Sequence, residues 1–518
     1  MSITSDFDPA RDGWSFPNWR ETDHYIGSPE LSWDLFRQAY LGVNPTHDCL
    51  EAPLDCTYYE VFKNCAGPGN CGGTSLLGLA VYKYGGYAGF CGPANFYTGL
   101  HAPDRQDLHQ AINVFHGRQF SAPFVENFLD LVNSGDLGNA EAAYKKIEAQ
   151  RGSGDYALLS IATDKVGGKA HTIIPYEVDP HPGGEPAGTK YIYVWDSQFP
   201  YSLHKEYYTS RQNRLVVHGA FDWEYRQGFY NGEVHDGTLY KGTPGSPGWC
   251  IATPMSLILH KAPHPISAGF AIKGLVKVLV TGTGCAVSQI EDGGGRRFYT
   301  SDTDGHLLNS EIETDPSRRL TDACRWPWFD QGPGGEPPGE LYFLRRRPGG
   351  SELRIAVHGT DYDVSYTQGT DLVEVSARGA AQRSRDVLTL NGVGTDTSLL
   401  RLAAEDESRR FDVTHRRIRP GAGWRGIEVR DARVGGDALV IRSIADMQAF
   451  EVAGEQRRAT CRAELKRYAA GALTTRALGE QAVEAGERVR VTPRDWSALE
   501  HADVLTENVR FGRREAPG

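Results

Sequence analysis

Asn70-Cys71-Gly72-Gly73-Thr74-Ser75-Leu76-Leu77-Gly78-Leu79-Ala80-Val81-Tyr82-Lys83-Tyr84-Gly85-Gly86 is the stretch around which the chain is organised. Cys65-Ala66-Gly67-Pro68-Gly69 before it has the composition of a loop. Leu76, Leu77, Leu79, Ala80, Val81 and Tyr84 fall mostly at helical spacing, and Gly85-Gly86 ends the pattern. The spacing predicts a buried helix with Cys71 at its mouth. Free N–H groups and the positive end of a helix favour negative charge at that place. A thiol there loses its proton more readily, and the thiolate is the nucleophile. Gly72 and Gly73 are expected to leave room for a substrate backbone.

Two further stretches complete the constellation. Lys169-Ala170-His171-Thr172-Ile173-Ile174-Pro175-Tyr176-Glu177-Val178 reads as a strand opened by a histidine. Tyr191-Ile192-Tyr193-Val194-Trp195-Asp196-Ser197-Gln198-Phe199-Pro200 reads as a strand that ends at an aspartate. The Pro- and Gly-rich residues 179–188 between them predict a hairpin. Antiparallel pairing brings the start of one strand beside the end of the next. His171 and Asp196 are therefore expected side by side, with the imidazole turned to the thiol.

The order Cys71, His171, Asp196 resembles the papain-like cysteine peptidase superfamily, in a bacterial branch. The resemblance rests on "GNCGG" before a helix, "HTIIPYEV" and "YVWDSQFP", and covers about the first half of the chain. It implies an α+β papain-like domain and hydrolysis of a peptide or isopeptide bond through a thioester on Cys71. His171 would be the base, Asp196 its orienter, and a protein or peptide the substrate. Two positions depart from the family. Gly72 follows the cysteine where papain has Trp, and Cys65 stands where a Gln oxyanion donor is usual. Asn64 and Asn70 are the candidate side-chain donors in its place, beside the backbone N–H of Cys71. The same trio serves transglutaminases and arylamine acetyltransferases, and a papain-like fold can also be a non-catalytic binding scaffold.

The chain has 518 residues, 40% hydrophobic and 23% charged, enough for several globular domains. A net charge of −11 argues against broad nucleic-acid or anionic-membrane binding. No stretch is long and apolar enough to span a bilayer. The start, Met1 to Asp8, lacks a signal-peptide pattern, which points to a cytoplasmic protein unless export is non-classical. Nine cysteines, an odd and scattered set, favour free thiols. Cys91 is the rival nucleophile. No metal or cofactor is expected.

Four segments follow from composition and pattern. Residues 1–60 are aromatic and irregular, with a helix beginning at Ser28, and are expected to pack on the catalytic domain; an inhibitory pro-segment is the alternative. Residues 61–265 form the catalytic domain. His109 and His116 lie there, in a helical stretch, as packing or surface residues. Trp223, Tyr225, Phe229 and Tyr230 read as core first and groove second. Residues 266–395 show short alternating strands, as in an immunoglobulin-like β-sandwich. Residues 396–518 read as a second β-rich domain with a helix in 458–486. The β-rich half reads as a protein-recognition or assembly module. Asp302-Thr303-Asp304-Gly305 has part of a calcium-loop pattern, and a turn is the expected structure.

Overall fold

A computed structural model describes residues 3–4, 6–18, 31–66, 69–98, 106–163, 170–235, 237–244, 248–267, 275–282, 285–300, 317, 320, 323–325, 339–345, 352–380, 384–419, 421–433, 438–455, 458–485, 487–497, 499 and 504–510. Asp302 to Gly305 and Ser28 lie outside them. The chain divides into two units. The first holds residues 1–46, 58–265 and 326–337, and the second holds 47–57, 266–325 and 338–518.

The first unit is mixed α and β. Its sheet has eight strands. In chain order they are β1 (Ile3–Thr4), β2 (Ala157–Ala162), β3 (His171–Asp179), β4 (Lys190–Trp195), β5 (Arg214–Val217), β6 (Trp223–Arg226), β7 (Leu239–Gly242) and β8 (Trp249–Pro254). Across the sheet they run β7-β6-β5-β4-β3-β2-β8, with β1 pairing β3. The pairs between neighbours are antiparallel, as short connections allow. Strands β2, β3 and β4 are buried along nearly their whole length, and they read as apolar runs for that reason.

Four helices belong to this unit's frame: α1 (Cys71–Tyr84), α2 (Gln106–Arg118), α3 (Ala122–Ser134) and α4 (Ala140–Ser153). Helix α1 is buried from Cys71 to Val81 and stops at Gly85, whose φ of 68° is left-handed. Ala143, Tyr144 and Ile147 of α4 cluster with Leu159, Ile161, Ile173, Ile192 and Val194 of the sheet. Toward the N-terminus, a short helix, Trp33–Ala39, is capped by the Ser32 side chain. Residues 6–18 pack inward. The Trp14 indole donates to the Thr74 carbonyl in α1, 2.9 Å away, and the Asn18 N–H donates to the Ser197 carbonyl.

The second unit is nearly all β. Its strands form two nine-stranded sheets in a sandwich-like arrangement. Consecutive hairpins go to alternate sheets: Tyr362–Gln368 with Asp371–Arg378, then Ser384–Asn391 with Ser398–Ala404 in the other sheet, then Arg410–Arg419 with Gly423–Arg433 back in the first. The alternation runs straight through residue 395. Residues 266–395 and 396–518 are thus one unit rather than two domains, and the strand order is not that of an immunoglobulin domain. The helix expected in 458–486 is instead the hairpin Ala459–Ala469 with Ala472–Val483. Cys461, Ala463 and Leu465 are buried while Arg462 is exposed, a period of two that outweighs the Ala-rich composition. Residues 47–57 also belong here rather than to an N-terminal segment. Leu54 clusters with Leu372, Ile418, Trp424 and Tyr468. Cys49 and Cys56 are joined in a disulfide, against the expectation of free thiols throughout.

Candidate functional site

Cys71 is the first residue of α1, with Asn70 as N-cap. Two bonds tie this helix mouth to its surroundings. The Ser75 hydroxyl donates to the Thr172 carbonyl at 3.0 Å, one residue from His171. The Gly73 N–H donates to Nδ1 of His116 at 3.3 Å. His116 is fully buried on α2, as is His109. The two glycines after Cys71 are explained by the same helix. A Cβ on Gly72 would fall 1.8 Å from the Gln119 amide, and one on Gly73 would fall 2.1 Å from the Ile112 carbonyl. The space at Gly72 and Gly73 is therefore occupied by α2 and the turn after it, not left for a substrate backbone. Their function is close helix packing.

His171 opens β3 and Asp196 follows the last residue of β4. The register pairs Ile174 with Trp195, which sets His171 and Asp196 at the same end of the hairpin. Nε2 of His171 lies 2.7 Å from Oδ1 of Asp196. The Cys71 sulfur is close enough to the ring to raise its pKa, and Nδ1 is the nitrogen left open to it. All three side chains are buried: Cys71 is 6% exposed, His171 4% and Asp196 not at all. The structure thus brings Cys71, His171 and Asp196 together. The side chain of Asn64 lies outside what is described. Asn70 is buried, and its side chain does not cap α1. Cys91 is exposed and is not part of the trio.

The Asp196 carboxylate is held from several sides. The Tyr225 hydroxyl donates to Oδ2 at 2.6 Å, and the Gln227 amide donates to the same oxygen at 3.0 Å. The Gln198 backbone N–H donates to Oδ1 at 2.8 Å. Tyr207 in turn donates to the Tyr225 hydroxyl at 3.0 Å. Tyr240 of β7 lies over the imidazole, ring centres 6.2 Å apart and planes 20° from parallel. Tyr225 reads from sequence as core or groove, and Gln227 carries no motif of its own. Trp223 and Tyr225 alternate along β6, Gln227 follows one residue past its end, and all three are buried. A glutamine continuing a buried aromatic series is the sequence signal that marks them.

Electrostatics follow from these contacts. Burial alone would lower the pKa of His171, but the Asp196 carboxylate and the Cys71 sulfur more than offset this and raise it to about 10. Burial alone would raise that of Asp196, but His171 and the hydrogen bonds from Tyr225 and Gln198 hold it below the usual carboxylate value. The imidazole is thus a strong proton acceptor, fixed in direction by Asp196 and within the influence of a thiol. Such a set can move a proton from sulfur to nitrogen and back.

In the second unit, His47, Cys49 and Cys56 place ligand atoms within 4.8 Å of one another. The two sulfurs are spent in their disulfide, so they offer no thiolate to a metal. In comparison with known proteins, the chain matches no family model, no curated protein and no solved structure.

Proposed function

We propose that the first unit is a cysteine hydrolase of papain-like kind that cleaves peptide or isopeptide bonds. The observation that carries this reading is the His171 ring, hydrogen-bonded to the Asp196 carboxylate at 2.7 Å and close enough to the Cys71 sulfur for the sulfur to raise its pKa. In this reading the Cys71 proton passes to His171, and the sulfur attacks a carbonyl carbon. The backbone N–H of Cys71, at the start of α1, faces the developing oxyanion. The imidazolium then protonates the leaving amine, which departs and leaves a thioester on Cys71. Water, deprotonated by His171, cleaves the thioester and restores the free thiol. Asp196 keeps the ring oriented and stabilises its charged form.

The test is labelling with a peptide carrying a thiol-reactive electrophile, followed by profiling on a peptide library. Expected is rapid labelling at Cys71 and turnover that disappears in Cys71→Ala. Labelling no faster than that of free cysteine would refute the catalytic role. Product formed only with an added amine would instead assign an acyltransferase.

A further inference from the structure

A cavity of about 600 Å3 lies along α2 and is lined by none of the Cys71, His171 and Asp196 trio. Arg118, in the last turn of α2, stands in its wall, and Lys261 stands at its rim. Arg118 is held firmly. Its guanidinium lies over the Phe115 ring, 4.2 Å from the ring centre, and Nη1 donates to the Leu259 carbonyl. Its Nε is buried and has no hydrogen-bond partner. Among the described residues, no carboxylate is ion-paired with Arg118 or with Lys261.

The two cations disfavour each other. Burial holds the Arg118 guanidinium below its ordinary pKa. Burial, Arg118 and Arg37 do the same for Lys261. Asp107 lines the same cavity but stands eleven residues from Arg118 on α2. That is about 16 Å along the axis, beyond the range at which an exposed carboxylate neutralises a charge. The wall between them offers Val114 and Phe115 for carbon and Gln38 and Gln110 for polar groups.

We propose that this cavity binds a small organic acid, with its carboxylate seated between Arg118 and Lys261 and its body along α2 toward Gln110. The guanidinium decides for a carboxylate. Tyr87 and the Leu259 carbonyl hold part of the guanidinium, and its remaining planar donors suit the two oxygens of a carboxylate. The proposal does not rest on the catalytic reading of Cys71.

The experiment uses the full chain and succinate as probe, at constant ionic strength, read by calorimetry and by melting temperature. Sodium phosphate and sodium chloride are the parallel arms. Expected is saturable binding of succinate with a rise in melting temperature, weakened at least tenfold by Lys261→Gln and by Arg118→Lys. Lys261 is exposed, so its variant tests the site even if Arg118→Lys fails to fold. No succinate binding, unchanged affinity in Lys261→Gln, an equal response to chloride, or tenfold tighter binding of phosphate would each overturn the assignment.

Discussion

Asp196 in the first unit and Asp371 in the second are both fully buried, and each lies against a histidine on a β-strand. Their surroundings then part. Asp371 is gripped by Arg417 through two parallel bonds of 2.7 and 2.8 Å, and His415 stands 3.4 Å away. Burial would raise its pKa, but Arg417 and His415 hold it below the usual carboxylate value. Arg417 also reaches Asp446, which Arg419 and Arg425 share. A guanidinium neither releases nor takes a proton at working pH, so this network is a staple. Among the described residues, no arginine is paired with Asp196. Its cation is the imidazolium of His171 itself, whose pKa the Cys71 sulfur also raises. A buried aspartate–histidine pair is thus not a site by virtue of the pair. The third group decides, because it must be able to exchange a proton with the ring.

The largest expected effect bears on that difference. Cys71→Ala abolishes labelling by a peptide electrophile, and His171→Ala slows labelling of Cys71 by a factor on the order of 1,000. His415→Ala leaves the labelling rate within twofold of the wild type. Rates measured by intact-mass spectrometry on all three variants check this. An equal loss in His415→Ala would erase the distinction.

Next is stability. Arg417→Ala leaves a buried carboxylate without its bidentate partner, at a cost of about 3–5 kcal/mol. Denaturant unfolding followed by tryptophan fluorescence gives the value. A loss under about 1 kcal/mol would mean that Asp371 is neutralised by other groups. The labelling rate of the folded Arg417→Ala protein should stay at the wild-type value.

The pH dependence separates the pairs further. The pKa of His171 is raised, to about 10. Stability from its charge is therefore fully present below its unfolded pKa, near 6.5, and is lost as pH rises through about 10. The pKa values of Asp196 and Asp371 are lowered, so their contribution holds above about 3.8, the unfolded value, and fades as pH falls below it. Wild type and His171→Gln compared between pH 7 and 11 should converge at the alkaline end. Parallel curves would show that His171 carries no extra proton in the folded chain.

Much of the trio was legible in the sequence because each member sits at a local boundary: Cys71 at a helix start, and His171 and Asp196 at the two ends of one hairpin. What supports them was not. Gln119 and His116 approach Gly72 and Gly73 across a helix–helix contact, and no local spacing announces such a contact. The glycines were therefore assigned to a substrate. The alternating strands of the second unit were readable, but their partition was not. Pairing between successive hairpins depends on long-range register, and composition made the strands at 459–483 resemble a helix. The Cys49–Cys56 pair was missed because a spacing of seven carries no motif, and its closure depends on the local turn.

The smallest expected effect tests whether the aspartate's second oxygen matters. Tyr225 gives Oδ2 a 2.6 Å bond and receives one from Tyr207, while Gln227 supports the same oxygen. Tyr225→Phe removes one bond to a charged acceptor and keeps the ring's volume. Asp196 retains His171, Gln198 and Gln227, so the imidazole keeps its direction. The labelling rate at Cys71 should fall about fivefold, close to 1 kcal/mol. The acid limb of its pH profile should move upward, because a hydrogen bond that lowers the pKa of Asp196 is gone. A purely space-filling tyrosine would leave that limb in place. Gln227→Leu alone should move it less, since its bond is longer, and the double variant should move it most. If neither single variant shifts the limb, the two side chains that distinguish the Asp196 cradle from the Asp371 staple are packing alone, and the trio stands on His171 and Cys71 without their help.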